Sequence, residues 1–469
     1  MTRKAVPRPR SRSRKFHLVS LGCAKNTVDS DSMAQVLGAA GYRAADTPAD
    51  ADVLIVNTCG FIAPAKEESL AVLRELAQGK SDEQLLIAAG CMSQRYGEEM
   101  RAWVPALDGV IGTRRWMDIV DLMKRLRQRD DREPLYHLPE DARTVGRDEH
   151  GVARVSLQGG SAYLKIADGC RRPCAFCAIP LIKGTAVSRP LKSIVAEARL
   201  LQQQGVREII LIAQDTTDYG SDLGMRDGLA HLLDAMVKAA PKIDWIRVMY
   251  AYPGCVSNRL IDTMASLPQV LHYLDIPLQH GHPDTLKRMR RPSSLDWVRR
   301  TIGKMRERMP DLAIRSTFIV GFPGETAAEF NGLLKLVQEM EFDRVGVFTY
   351  SPEPGTESAR LRDSVAPKMK EERREVLMAV QQKISLRKNQ AWVGKSMRVL
   401  IEGEGDGVSI GRSYRDAPEV DGLVIIDGRL PVGQMVDVNI TGAMPYDLSA
   451  TAPGAKQKLV TIRRGPRQT

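Results

Sequence analysis

The stretch Asp168-Gly169-Cys170-Arg171-Arg172-Pro173-Cys174-Ala175-Phe176-Cys177 constrains this chain more than any other. It follows a strand-like run from Ala162 to Ala167, and its cysteines are separated by three and then two residues. Three thiolates on one tight loop can turn inward onto a single iron–sulfur cube or a single zinc ion. Three ligands leave one iron of a four-iron cube open, and a small molecule can bind there. A structural zinc normally takes a fourth Cys or His close by, whereas the next histidine is His231. Three inert buried cysteines, with Phe176 as an ordinary core residue, are the remaining alternative.

A chain of 469 residues accommodates roughly three domains. No apolar run reaches the ~18 residues needed to cross a bilayer, and the N-terminus lacks a signal-type apolar stretch. A cytoplasmic protein with no membrane partner is the expectation. Six of the seven cysteines fall into two groups that suit metal ligation better than disulfides, in keeping with a reducing compartment. The net charge of +11 invites a nucleic-acid reading until its location is examined. Residues 1–15 carry seven Lys or Arg and residues 456–469 carry five, with no acid in either, so the rest of the chain nets about −1. The basic arm and basic tail are expected to be disordered. Any RNA contact is expected to be weak or to run through them.

Between the tails, strand-like runs alternate with amphipathic helical segments. Phe16 to Gly22 ends at Cys23, Asp52 to Thr58 at Cys59, and Leu85 to Gly90 at Cys91, with Gly109 to Gly112 as a fourth strand. Helices are expected over Ser30–Ala40 and Lys66–Gln78, which makes residues 16–125 a doubly wound parallel sheet. The three cysteines, 36 and 32 positions apart, then emerge at the carboxyl edge of one sheet, where open α/β sheets bind ligands. They form a second cluster site, again one ligand short.

Residues 126–155 are charged and irregular and are expected to be a linker. Six further strands follow over 156–391, at Tyr163–Ala167, Glu208–Ala213, Ile246–Ala251, Tyr273–Leu278, Ile314–Val320 and Val345–Tyr350, with helices such as Ser193–Gln204 and Thr326–Met340 between them. The pattern predicts an open, partial TIM-like βα barrel with its chemistry at the carboxyl strand ends. Polar groups and a Gly321-Phe-Pro-Gly324 turn stand at those ends. His280 and His282 are given no catalytic role, and Cys255 is expected to be structural. After a helix at Glu371–Gln390, residues 392–455 change to short β runs, Met397–Glu402, Val408–Gly411, Gly422–Ile426 and Met435–Gly442, which outline a small all-β barrel. That segment holds five Lys or Arg against nine Asp or Glu, a net −4.

Cys-x3-Cys-x2-Cys with an aromatic before the last cysteine resembles the radical S-adenosylmethionine (SAM) enzymes. From about residue 16 to 447 the chain is similar to the methylthiotransferases of that class, which carry an N-terminal three-cysteine domain and a C-terminal TRAM module. Ile212-Ala-Gln-Asp-Thr-Thr-Asp-Tyr-Gly220, Leu274-Asp-Ile-Pro-Leu-Gln-His280 and Gly411-Arg-Ser-Tyr-Arg-Asp-Ala-Pro-Glu-Val-Asp-Gly422 look like the RimO branch rather than the tRNA-modifying MiaB branch. The resemblance implies two 4Fe-4S clusters, a SAM-cleaving one on Cys170, Cys174 and Cys177 and an auxiliary one on Cys23, Cys59 and Cys91. It places Phe176, Gln214, Gln279, Gly321, Gly324 and Glu325 along SAM. The implied reaction converts the β-carbon C–H of an aspartate in the twelfth small-subunit ribosomal protein to C–SCH3, with a second SAM as methyl donor. Flavodoxin or ferredoxin would supply electrons, and the substrate could be met on the ribosome. Asp416, Glu419 and Asp421, crowded in one segment of an acidic module, are the expected contacts to that basic partner. A tRNA adenosine methylthiotransferase and a non-catalytic iron–sulfur protein are the competing readings.

Overall fold

The computed structural model describes residues 14–129, 131, 133–139 and 151–452. The basic arm and tail therefore lie almost wholly outside the described residues, although Lys15 already belongs to the first strand. The chain divides into two compact units between Gln381 and Gln382.

The first unit opens with a parallel sheet: β1 (Lys15–Ser20), β2 (Arg43–Ala44), β3 (Val53–Thr58), β4 (Leu85–Gly90), β5 (Gly109–Gly112) and β6 (Leu135–His137), in the spatial order β2-β1-β3-β4-β5-β6. Helices α1 (Ala24–Ala39), α2 (Ala63–Gly79), α3 (Cys91–Tyr96), α4 (Glu99–Trp103) and α5 (Ile119–Arg127) connect the strands. Every residue of β3, β4 and β5 is buried, which suits their largely apolar sequences: a parallel sheet covered on both faces has no wet side. Alternate side chains feed two cores, one with Ile55, Ile87, Met33, Leu37 and Trp116 and one with Leu54, Val56, Leu86, Leu70 and Leu73. The stretch taken for a linker contributes β6, which pairs with β5. A three-residue strand among charges has no period long enough to stand out in the sequence.

A second sheet follows, made of β7 (Val155–Gln158), β8 (Ser161–Lys165), β11 (Glu208–Ile212), β12 (Trp245–Val248), β13 (Val270–Asp275), β14 (Ala313–Val320) and β15 (Arg344–Thr349). The two-residue strands β9 (Ala167–Asp168) and β10 (Val187–Ser188) pair separately. Helices α6 (Ile179–Lys183), α7 (Leu191–Gln203), α8 (Gly228–Ala239), α9 (Asn258–Ser266), α10 (Pro283–Arg288), α11 (Leu295–Arg308), α12 (Ala327–Met340) and α13 (Pro367–Gln390) intervene or follow. Strands β8 and β11–β15 are parallel neighbours in chain order, so the barrel is open, as expected. The hairpin strand β7 adds an antiparallel edge that the alternation did not reveal.

Five charged side chains lie buried where the first sheet's α1 meets this barrel. Asp29 of α1 takes Arg154 at 2.6 Å, Lys165 at 2.5 Å and Lys183 at 2.9 Å, and Asp168 takes the same three cations at 3.3, 3.1 and 3.2 Å. Burial works to raise both carboxyl groups, but the surrounding cations hold each well below the usual carboxylate range. Breaking such a cluster by removing one member costs ~3–5 kcal/mol, because the remaining charges stay buried.

The second unit is a closed five-stranded barrel, in the order β16-β17-β18-β20-β19, formed by β16 (Ser396–Gly405), β17 (Val408–Ser413), β18 (Val424–Asp427), β19 (Met435–Ala443) and β20 (Leu448–Thr451). The sequence suggested four of these strands. The fifth, β20, pairs with both β18 and β19 and closes the barrel over Val399, Ile401, Val424, Ile426, Val438 and Ile440.

Helix α12 starts with a capping box: the Thr326 hydroxyl accepts from the Glu329 N–H, and the Glu329 carboxylate accepts from the Thr326 N–H at 2.7 Å. Burial pushes the Glu329 carboxyl up, but the two Arg288 hydrogen bonds at 2.9 Å and the cap outweigh it and bring the group down to about 2. A depressed carboxylate stabilises the fold above its unfolded value and stops doing so as pH falls through its folded one. Glu329→Gln should therefore cost ~1–2 kcal/mol at neutral pH. The difference in thermal midpoint between variant and parent should close as pH is lowered from about 4.5 to about 2. A constant difference would show that the carboxylate charge is not what matters.

Candidate metal centre

Two groups of three cysteines occupy the carboxyl ends of the two sheets. In the first sheet the cysteines follow β1, β3 and β4, which are adjacent strands. The chain must leave each strand sharply to place a sulfur at the edge. Gly90 does this at φ +98°, and a β-carbon there would lie 2.9 Å from the Thr58 nitrogen. The three cysteines then converge. A β-carbon on Gly22 would stand 2.7 Å from the Cys59 Cβ and 2.9 Å from its Sγ, and the Cys91 thiol lies 3.6 Å from Asn26 Oδ1. Asn26 holds the edge together by donating to the Leu21 carbonyl at 2.8 Å and to the Thr58 carbonyl at 3.1 Å. Cys59 and Cys91 are buried, while Cys23 is exposed at the rim.

Burial dominates the thiols. It pushes Cys91 up to about 12 and raises Cys59. At Cys23, exposed at the surface yet surrounded by protein atoms, that surrounding also works upward, but Lys25, the N–H groups opening α1 and Lys183 outweigh it, so this thiol sits below its ordinary value.

The second group lies on the loop after β8 and β9. Gly169 turns the chain at φ +76° immediately before Cys170. Cys170, Cys174 and Cys177 line one cavity of about 440 Å³ together with Pro180, Leu181 and Gly355, a size suited to a small-molecule site. Burial pushes the Cys170 thiol up to about 11 and Cys177 up to about 12. Buried thiols of this kind lose their protons to a metal rather than to water, so three sulfurs on one cavity fit a soft-metal cluster. A cationic and aromatic wall supports the loop. Arg291 donates to the Cys174 sulfur at 3.4 Å, Tyr252 shares a hydrogen bond with the same thiol, and the Arg172 and Arg291 guanidinium groups stand 4.4 and 4.3 Å from the Tyr252 ring centre. Arg172 is anchored by Asp215 at 2.6 Å. Cys255, expected to be structural, lies beside Arg172. Sequence reading missed Tyr252 and Arg291, because their relation to Cys174 depends on segments far apart in the chain, and it gave Arg172, on the cysteine loop itself, no role.

The residues expected along SAM divide. Gln279 is half-buried at φ +74°, and its N–H and C=O bond across to Thr317 and Ile319. Gln214 follows β11, with a buried Oε1 that has no hydrogen-bond partner among the described residues. Both stand at the barrel mouth. Phe176 packs on Met289, Phe322 and Tyr350. Glu325 faces inward: its carboxylate accepts from the Gly321 N–H at 2.8 Å and pairs with Arg373 at 2.6 Å. It therefore holds the glycine turn in shape and offers no free oxygen to a ligand. His280 is fully buried, with Nε2 3.4 Å from Glu325 but no hydrogen bond in good geometry. Gly324 is exposed and its N–H donates to Ser364 Oγ at 3.0 Å.

The expected partner contacts also need correction. Asp416 is buried and accepts from Ser413 Oγ at 2.7 Å, and Asp421 accepts from the Ala417 N–H at 2.9 Å, so both acids fold their own loop. Only Glu419 of the three is exposed. Polar side chains in a Gly- and Pro-containing loop bond to its backbone first.

Gly321 has φ +72°, and a side chain there would collide with Lys370. Gly321→Val should destabilise the protein by ~1–3 kcal/mol and weaken SAM binding, measured by equilibrium dialysis, while leaving iron content near normal. Unchanged SAM affinity would reduce this segment to an ordinary turn.

Residues 15–112 match the model of the Uncharacterized protein family UPF0004, residues 164–337 that of the radical SAM superfamily, and residues 393–452 that of the TRAM domain. A Chloroflexus aurantiacus protein named ribosomal protein uS12 methylthiotransferase RimO is 50% identical over 449 residues, covering 92% of this chain and 98% of that protein. A protein of the same name from Synechococcus is 43% identical over 457 residues, 96% of each chain. Among solved structures, the radical SAM methyltransferase TsrM from Kitasatospora setae superimposes with a TM-score of 0.53 over 74% of this chain and 77% of that one, at 15% identity. The cobalamin-dependent radical enzyme OxsB gives 0.51 over 74% and 55%, at 12% identity. These two show likeness of fold. Identity near one half, sustained over almost the full length of both chains, shows more: this chain belongs to the RimO family of radical SAM methylthiotransferases.

Proposed function

We propose that the protein methylthiolates ribosomal protein uS12 by radical SAM chemistry, and that its two cysteine groups hold two iron–sulfur clusters with separate tasks. The observation that carries this reading is the pairing of two three-cysteine sites at carboxyl sheet edges, joined by the packing of Ala178 and Ile182 from the SAM-site loop region onto Cys91. An electron carrier normally completes all four ligands of a cube, whereas each of these groups supplies three.

Cys170, Cys174 and Cys177 would hold a four-iron cluster which, with SAM, would supply the radical chemistry that an unactivated aspartate β-carbon C–H requires. The chain orients that chemistry. Arg291 and Tyr252 hold Cys174, Asp215 holds Arg172 against the same ring, and Glu325 with Arg373 keeps the glycine turn closed at the barrel mouth. Cys23, Cys59 and Cys91 would hold the sulfur-supplying cluster. Flavodoxin or ferredoxin is the proposed electron donor, and the ribosome a proposed place of encounter.

The net −4 of residues 392–455 suits a basic polypeptide and disfavours a phosphate backbone. The exposed acids Glu404, Asp406 and Glu419, rather than Asp416 and Asp421, are the proposed docking charges.

Anaerobically reconstituted protein should hold about eight irons. Cys170→Ala, Cys174→Ala and Cys177→Ala together should remove about half of them and all SAM cleavage. The same change at Cys23, Cys59 and Cys91 should remove the other half and leave reductive SAM cleavage detectable. A single zinc at either site would end the two-cluster reading.

The substrate is tested in cells lacking the gene, by mass spectrometry of uS12 and of tRNA. Methylthiolation should disappear from uS12 alone, whereas its loss from tRNA with uS12 unaffected would establish the tRNA reading. Glu404→Lys, Asp406→Lys and Glu419→Lys combined should weaken uS12 binding without altering iron content. Unchanged binding across a salt series would remove these acids from the interface.

A further inference from the structure

Lysine 183 ends helix α6, six residues beyond Cys177, and is buried. Its ammonium is held between Asp29 Oδ2 at 2.9 Å and Asp168 Oδ1 at 3.2 Å, so it has no route to solvent. The same short helix packs Ile182 and the preceding Ala178 onto Cys91. Asp29 lies on α1, the helix that begins immediately after Cys23. Asp168 stands two residues before Cys170. Lys183 therefore belongs by sequence to the SAM-site loop region and by position to the other cysteine site.

The charges agree with that placement. Arg154, Lys165 and Lys183 meet Asp29 and Asp168 in this cluster, three cations to two carboxylates. The two lysines differ: burial lowers Lys165 despite its carboxylate partners, whereas at Lys183 the paired Asp168 and Asp29 outweigh burial and raise the group.

We propose that Lys183 is a positioning residue whose buried ammonium offsets the negative charge of an iron–sulfur cluster on Cys23, Cys59 and Cys91, with Asp29 and Asp168 fixing it there. This rests on the reading of those cysteines as a second cluster site. A fixed cation in a low-dielectric interior stabilises the more negative, reduced form of a cluster and raises its midpoint potential. The neighbouring carboxylates act in the opposite direction.

The test uses the full chain carrying Cys170→Ala, Cys174→Ala and Cys177→Ala, which leaves only the site in question. Its iron is counted and its midpoint measured by redox titration followed by electron paramagnetic resonance. Lys183→Met should move the midpoint to more negative potential, and Lys183→Arg should return it close to the parent. Asp29→Asn should move it the other way, which a general loosening of the fold would not do, and this variant reports even if Lys183→Met fails to retain iron. Retained iron with an unmoved midpoint in Lys183→Met, or shifts of the same sign in Lys183→Met and Asp29→Asn, would overturn the role of Lys183 alone. Absence of iron from the parent triple variant would remove the second-site reading itself, and the Lys183 role with it.

Discussion

The buried cluster of Asp29, Arg154, Lys165, Asp168 and Lys183 is the constraint on which the geometry of the first unit depends. Taking five charges out of water is costly, and an apolar replacement of the same shape is often more stable. What the ionic version adds is direction. Each carboxylate must meet all three cations, and those cations sit on a loop, on a strand and at the end of a helix. Few relative placements of α1, β8 and α6 satisfy six short contacts at once. The cysteines on either side inherit that placement.

The strand ends then gather three cysteines at one sheet edge. Strands β1, β3 and β4 are neighbours, so cysteines one to three residues past their ends come together without any long loop. The barrel reaches the same result differently, with all three sulfurs on one loop that Gly169 turns out of the strand region. A site assembled from three strands depends on the sheet being intact, whereas a site on one loop depends on what packs beneath it. Here that support is Tyr252 between Arg172 and Arg291. The two groups of cysteines thus respond to different parts of the fold.

Charge composition gave a partial account of the second unit. The count of acids in residues 392–455 is independent of structure, but the use of each acid is not. Asp416 is consumed by Ser413, and Glu402 by Arg412 at 2.7 Å, whereas Glu404 and Asp406 remain exposed. Acids near a turn are as apt to satisfy backbone N–H groups as to meet a partner. Glu325 follows the same logic in the barrel, where its carboxylate caps the N–H groups of its own turn.

The sequence alone determined the sheet classes and the two groups of three cysteines, because both are local: apolar runs of fixed length alternate with helical periods, and cysteines follow strands at regular intervals. It could not show β6 or β7, which are too short or too mixed to carry a period and exist because a neighbouring strand offers hydrogen bonds. Nor could it separate Glu419, which faces solvent, from Asp416 three residues earlier, which does not. Lys183 marks the boundary most clearly. Its identity and its distance from Cys177 are plain in the sequence, but its meeting with Asp29, 154 residues away, was decided only when two sheets packed against each other, because a buried charge finds its partner in space and leaves no periodic trace along the chain.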